Sequence, residues 1–326
     1  MSTPESQAGR PATRGSAARI GLGLAAIGRP AYITTGREAD LPRGRSVADL
    51  REQAHGLLDA AYAHGIRYVD VARSYGLAEE FLADWLAAHP QANDVVVASK
   101  WGYAYVGDWQ VDADVHEVKD HSLGAFERQY HETRALLGER LNVYQVHSAT
   151  LESGILSDAG VHRALAALRE RGIRIGLTTS GPAQGEVIRR ALDVHVDGLR
   201  VFDSIQATWN LLEPSAAGAL EQAHSAGCMV IIKEALANGR LTAAGDAGGP
   251  GTLLGKAAAE GDTTPDTLAL GAALAQPWAS IVLSGAATTG QLRSNLAAVP
   301  VESPSLGPLA ESPATYWSAR AARPWR

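Results

Sequence analysis

The sequence predicts an α/β fold, a single-domain (β/α)8 barrel of the TIM type, on three observations. Short apolar runs alternate with longer amphipathic stretches from Ile20 onward, the runs number eight, and polar residues recur at their C-terminal ends. The runs are RIGLGLA, IRYVDV, DVVVASK, LNVYQVH, IRIGLTTS, LRVFDSIQ, CMVIIK and SIVLSG. Their polar ends fall at Asp70, Lys100, His147, Ser180, Gln206, Lys233 and Ser284. A doubly wound open sheet is the competing arrangement. It is disfavoured because GLGLAAIG has glycines at the wrong spacing for a dinucleotide-binding turn, with no helical run directly after.

The elements follow in order. Residues 1–18, rich in Pro, Ser, Gly and Ala, are expected as a disordered tail. The barrel is expected over 19–299. Ser46 with Asp49 forms a capping-box pattern ahead of an apolar stripe of Val47, Leu50, Ala54, Leu57, Leu58 and Ala61, and Gly65 supplies the stop. Ser157 is expected to open the helix that closes at Gly172, and SAAGALEQAHSAG to close at Gly227. Glycine-rich GDAGGPGTLLG, Gly245 to Gly255, reads as a mobile loop that could fold over a ligand. Residues 300–326 are Pro-rich without a clear period and are expected as a surface segment.

Composition narrows the function. With 46% hydrophobic residues among 326 the chain can bury a large core, and its formal net charge of -6 offers no basic footprint for nucleic acid or an anionic membrane. The one cysteine, Cys228, can form no internal disulfide, the N-terminus has no apolar signal region, and no 18-residue apolar run is present. A cytoplasmic setting is expected. No H-x-x-x-H or paired-cysteine spacing marks a metal site.

In a barrel, Asp70, Lys100 and His147 would stand at the tops of strands two, three and four, with Tyr75 on the loop after strand two. Neighbouring strands lie about 4.8 Å apart, so these side chains can share one pocket. A phenol is a weak acid at neutral pH; a lysine ammonium beside it favours the phenolate, and a carboxylate holds that lysine in place. The phenol then becomes a usable proton donor, and the histidine can orient a carbonyl oxygen.

The words DVARSYG, VVASKWG and YQVHS, carrying Asp70, Tyr75, Lys100 and His147, resemble the aldo-keto reductase superfamily from about Arg19 to Asn295. The resemblance implies a (β/α)8 barrel, catalysis by those four residues, and hydride transfer between a nicotinamide cofactor, usually NADP with NAD possible, and a small-molecule carbonyl substrate. It further implies cofactor contacts from Ser180 in TTSGP, where Gly181 replaces an asparagine, and from Gln206 in IQATWN. The strand-seven word normally offers an aromatic that stacks on the nicotinamide; here Lys233 and Glu234 stand instead. A cation there would favour the reduced, neutral ring unless Glu234 offsets it, and Trp209 is a candidate replacement face. SGAATTGQLRSNL resembles the adenosine site, bringing in Ser284, Gly285, Ala286, Gln291 and Asn295. Ala287 and Thr288 replace the basic residues that grip a 2'-phosphate, leaving Arg293 as a nearby candidate.

The segment after Lys100 carries Trp101, Tyr103, Tyr105 and Trp109, an aromatic lean that suits sugar rings or apolar carbonyl compounds. Trp101 is the candidate substrate residue, and His116 and His121 could touch substrate. His55, His64, His162 and His224 read as surface residues of helices. Two other functions compete: a cofactor-binding barrel with a sensing role, motivated by Lys233 and Gly181, and a Schiff-base lyase using Lys100 or Lys233. The lyase leaves the pairing of Asp70 with Tyr75 unexplained. Neither the particular carbonyl substrate nor the oligomeric state is written in these residues.

Overall fold

A computed structural model describes residues 16–34, 39–245, 248–302 and 309–326. After a 3-10 turn at Ser16–Arg19, β1 (Ile20–Gly23) is followed by α1 (Val47–Ala63), β2 (Tyr68–Asp70), α2 (Ala78–Ala88) and β3 (Val96–Trp101). A hairpin of β4 (Tyr103–Tyr105) and β5 (Glu117–Lys119) precedes α3 (Leu123–Leu137), β6 (Leu141–Ala149), α4 (Ala159–Ala167), β7 (Arg174–Thr179) and α5 (Gln184–Leu192). A second small hairpin, β8 (His195–Val196) with β9 (Leu199–Arg200), leads to β10 (Ser204–Thr208), α6 (Ala217–Ser225) and β11 (Met229–Lys233). Next come α7 (Pro250–Glu260), α8 (Pro265–Leu274), β12 (Ile281–Ser284), α9 (Thr289–Leu296) and α10 (Pro313–Ala321).

Eight parallel strands close into the expected barrel in the order β1, β2, β3, β6, β7, β10, β11, β12 and back to β1. All eight apolar runs supply one barrel strand each. On β11, Val230 and Ile232 face the helices while Ile231 joins Tyr68, Ala98, Val143 and Leu283 in a separate cluster. Because side chains alternate along a strand, the residues two positions further on share the face of that inner cluster. Asp70 follows Tyr68, Lys100 follows Ala98 and Lys233 follows Ile231 by this step; His147 follows Val143 by two such steps. The strand period thus stacks the polar ends above the inner apolar layer.

Helix signals largely hold. Ser46 Oγ accepts from the Asp49 amide at 3.1 Å and Asp49 Oδ2 accepts from the Ser46 amide at 3.2 Å, a closed capping box. Three expectations need correction. Asp158, not Ser157, caps α4, because its carboxylate reaches the Gly160 and Val161 amides. Most of the glycine-rich segment is helical, since Pro250 sits in the first turn of α7, where its missing N–H costs nothing; Asp246 and Ala247 lie outside the described residues. The C-terminal segment contains α10, capped by Ser312, with Tyr316 and Trp317 buried against Leu212, Leu241 and Leu254. Residues 1–15, most of the expected tail, and 303–308 lie outside the described residues.

Candidate active site

A cavity of about 730 Å³ opens at the C-terminal ends of the strands, the face on which TIM barrels carry their sites. Tyr75 and His147 line it, and so do the residues matched to cofactor contacts: Ser180, Gln206, Lys233, Glu234, Ser284, Gly285, Ala286, Gln291 and Asn295.

The four residues singled out for proton chemistry come together. Asp70 Oδ2 pairs with Lys100 Nζ, and the same ammonium donates to the Val71 carbonyl at 2.9 Å. Gln206 Nε2 donates to the other Asp70 oxygen at 2.9 Å, so both carboxylate oxygens are engaged. Lys100 Nζ lies 4.6 Å from the centroid of the Tyr75 ring. Tyr75 reaches this place because the chain turns straight after β2: the Tyr75 amide donates to the Ala72 carbonyl, and α2 starts three residues later. Among the described residues no hydrogen bond claims the Tyr75 hydroxyl. His147 meets Tyr75 edge-on with ring centroids 5.5 Å apart. A register break between Val146 and Ala149, with Ser148 at φ 51°, marks a bulge beside His147.

Burial governs the titration of this group. It raises the Tyr75 phenol well above its usual value, and the Asp70 charge adds to that, while Arg29 opposes it. Burial lowers Lys100, with Asp70 pulling the other way. His147 is held well below its usual value by burial, then by the charges of Lys100, Lys233 and Arg29, so its imidazole is neutral near pH 7. Ser74 Oγ lies 3.3 Å from His147 Nδ1. With that hydroxyl as the donor, Nε2 carries the proton and can donate to a substrate oxygen.

The opposite wall is an ion cluster. Arg320, on α10, clasps Glu234 through contacts of 2.9, 3.0 and 2.5 Å, and Thr208 Oγ1 adds a bond at 3.2 Å. Burial works to raise the Glu234 carboxyl, but the charges of Arg320 and Lys233 outweigh it and hold it at about 2. Lys233 Nζ comes only within 3.8 Å of Glu234, and among the described residues it has no hydrogen-bond acceptor. Burial brings Lys233 down to about 8, Glu234 opposing. Glu234 therefore spends its charge chiefly on Arg320, and one positive charge is left facing the cavity.

At the other end, Asn295 Nδ2 donates to Ser284 Oγ at 2.8 Å. Gln291 Oε1 accepts from the amides of Ala287 and Thr288 at 2.8 and 3.3 Å, so those two donors at the α9 N-terminus are already used. A cavity of this volume suits a bound organic cofactor, and an ammonium with no hydrogen-bond acceptor among the described residues, set among polar strand ends, is the donor chemistry that a polar ring and its linker would meet.

Several candidates fall elsewhere. Trp101 is fully buried against His121 and Phe126, because it is one position past Lys100 and a pleated strand turns it to the other face. Tyr103, 5.1 Å from His147, lines the cavity instead. Trp209 packs edge-on against Trp278 and gives the cavity no face. His121 Nε2 donates to the His147 carbonyl, 2.8 Å away, and burial brings His121 to about 4; His116 stacks on Trp325 with centroids 4.4 Å apart. Neither lines the cavity. His162 is buried, its Nε2 2.7 Å from the Ile155 carbonyl, and Arg293 is exposed outside the cavity. Sequence reasoning missed Arg29, Tyr32, Glu117, Arg320 and Trp325 among the lining residues. The Ser312-Pro313 start signal ahead of Tyr316 and Trp317 is the one pattern that could have flagged α10 and its arginine.

A family model described as Aldo/keto reductase family matches residues 19–305. A curated relative, aldo-keto reductase str7 from Strobilurus tenacellus, is 26% identical over 197 residues, 60% of this chain and 54% of the relative. The matched part thus spans about half the length of that relative. Among solved structures, the glycerol dehydrogenase AKR11B4 from Gluconobacter oxydans aligns with a TM-score of 0.66 at 21% identity, covering 87% of each chain. The holo form of aldo-keto reductase AKR11C1 from Bacillus halodurans gives 0.65 at 20%, covering 93% of this chain and 91% of that one. An aldo-keto reductase from Klebsiella pneumoniae in complex with NADPH gives 0.60 at 19%, covering 87% and 86%. At these identities the structural likeness speaks for the fold.

Proposed function

The chain belongs to the aldo/keto reductase family, and from that premise we propose that it reduces the carbonyl of an aldehyde, ketone or sugar to an alcohol, or runs the reverse oxidation. The observation that carries this is the buried Asp70–Lys100 pair under a Tyr75 whose hydroxyl no described residue claims. A nicotinamide dinucleotide, NADP as in the Klebsiella pneumoniae complex or else NAD, supplies or accepts the hydride when bound.

The chain's own residues handle the proton. Neutral His147 donates through Nε2 to the carbonyl oxygen and orients it. Tyr75 gives its hydroxyl proton to the alkoxide oxygen, which makes a phenolate. Lys100 stabilises that phenolate, and Asp70, fixed by Gln206, keeps Lys100 charged and immobile. Ser180, Gln206, Ser284 and Asn295 would hold the cofactor along the cavity, with Lys233 nearest the reacting end. A cytoplasmic setting belongs to the same reading, supported by the single buried Cys228; no helix among the described residues is long and apolar enough to cross a membrane.

Tyr75→Phe tests the assignment. Carbonyl-dependent oxidation of NADPH or NADH should fall by about a thousandfold, within the usual range for a general acid, while cofactor still quenches tryptophan fluorescence. Retained turnover would remove Tyr75 from the mechanism. A wild-type protein that binds cofactor but turns over no carbonyl in a broad panel would favour the sensing role.

A further inference from the structure

Tyr75 has a second cation over its ring besides Lys100. Arg29, on the loop after β1, is 1% exposed, and its Cζ lies 5.2 Å from the Tyr75 centroid. The same guanidinium lies 5.0 Å from the Tyr32 ring and 4.6 Å from the Trp325 ring, so three aromatic rings surround one planar cation. Its Nη1 donates to the Ser74 carbonyl at 2.8 Å and to Glu117 at 2.6 Å, and Ser74 immediately precedes Tyr75.

The contact is built by two glycines. A Cβ on Gly28 would sit 2.3 Å from the Tyr75 carbonyl oxygen, and one on Gly76, which has φ +59°, would sit 2.4 Å from the Gly28 carbonyl oxygen. Only bare backbone lets these loops lie together, and the Leu77 amide closes them by donating to the Gly28 carbonyl at 2.8 Å. Arg29 is thereby fixed to the backbone that carries the acid.

We propose that Arg29 is a positioning residue for Tyr75: it locks the phenol ring in place and offers the positive charge against which the phenolate forms. Lys100 alone does this incompletely, since Asp70 is buried directly against it and its opposite charge offsets that of the ammonium. Glu117 opposes Arg29 from a side chain that is 18% exposed, where water screens it more. The other titratable groups facing the phenol are His147, Tyr32 and Glu234; the carboxylates Asp70, Glu117 and Glu234 resist its ionisation and Arg29 favours it.

This inference rests on Tyr75 being the acid, so Tyr75→Phe is run beside Arg29→Met and Arg29→Lys. For Arg29→Met, kcat should fall about tenfold, cofactor and substrate KM should stay within about threefold, and the pH limb assigned to Tyr75 should move up by about one unit. Arg29→Lys should keep the limb near its wild-type position, because the charge remains while the planar stack is lost. Glu117→Gln, which leaves Arg29 in place, should move the limb down. If Arg29→Met lowers kcat without moving the limb, or leaves both unchanged, the proposal fails while Tyr75 stays in place. If Tyr75→Phe turns over normally, the underlying reading fails instead. Should Arg29→Met not fold, an unmoved limb in Glu117→Gln is enough to overturn the proposal.

Discussion

The two halves of the barrel's upper rim are built differently. Around β2, β3 and β6 the polar groups close on one another: Asp70 takes Lys100 and, from β10, Gln206, and Ser74 reaches His147. On β11 the balance is left open, because Arg320 from α10 claims Glu234 and Lys233 faces the cavity without an acceptor among the described residues. The first half carries its own proton machinery at its strand ends and on the turn that follows β2. The second half depends on a helix near the C-terminus to set its charge. The proton machinery is anchored by contacts within its own half, whereas the charge of the facing wall is set by a separate segment.

Breaking the first half should have the largest effect. Lys100→Met leaves the Asp70 carboxylate buried with only an amide for company, and removing one partner of a buried ion pair typically costs about 3–5 kcal/mol. Thermal unfolding should show that loss, and carbonyl reduction should drop by at least about a hundredfold. A variant that melts like the wild type would mean that water reaches Asp70 and that the pair is not the closed unit described above.

The contrast also explains what could be read from the sequence. Asp70, Lys100 and His147 were legible because a strand's two-residue period fixes both the face and the end at which a side chain emerges. The same period argues against Trp101, one position out of step with Lys100, and the structure buries it on the other face. Arg29 and Arg320 were not legible. Arg29 gains its role from a contact between Gly28 and Gly76 that is 48 positions apart in the chain, and Arg320 from the docking of α10 over β11. Neither contact leaves a local period. Lys233 was readable as a departure from the resemblance, with the offset by Glu234 left open; that Arg320 claims Glu234 first was not readable.

Opening the second half should have a smaller and differently signed effect. Lys233 binds its proton less tightly when folded, at about 8 against an ordinary 10.5, because burial disfavours the ammonium. Between those values the unfolded chain holds more protons, so stability rises as pH climbs from about 8 toward 10.5, and below 8 a constant penalty remains. Lys233→Met should therefore be more stable than the wild type at pH 7 and lose that margin above pH 10, as measured by denaturant unfolding across pH. The same variant should weaken the preference for reduced over oxidised cofactor by about tenfold, a change of about 1.4 kcal/mol. Fluorescence titrations with both redox states would reveal it. An unchanged ratio would mean that Arg320 and Glu234 already cancel Lys233 at the ring.

The smallest effect is expected where the cavity passes α9. Asp40 lines this end and accepts from Gln291 Nε2 at 2.7 Å, and Gln53 Nε2 ties the Asp40 carbonyl, at 3.0 Å, to that of Ala287. Ala287 and Thr288 offer no positive charge, so a 2'-phosphate bound here would face a carboxylate held in place by the Gln291 bond. Asp40→Asn keeps an oxygen for Gln291 while removing the charge. NADPH affinity should then rise by about threefold, modest because the site is open to solvent and salt screens the repulsion, and NADH affinity should stay level. The gain should shrink in titrations at raised salt. Equal gains for both cofactors would show that Asp40 shapes the loop and does not read the phosphate.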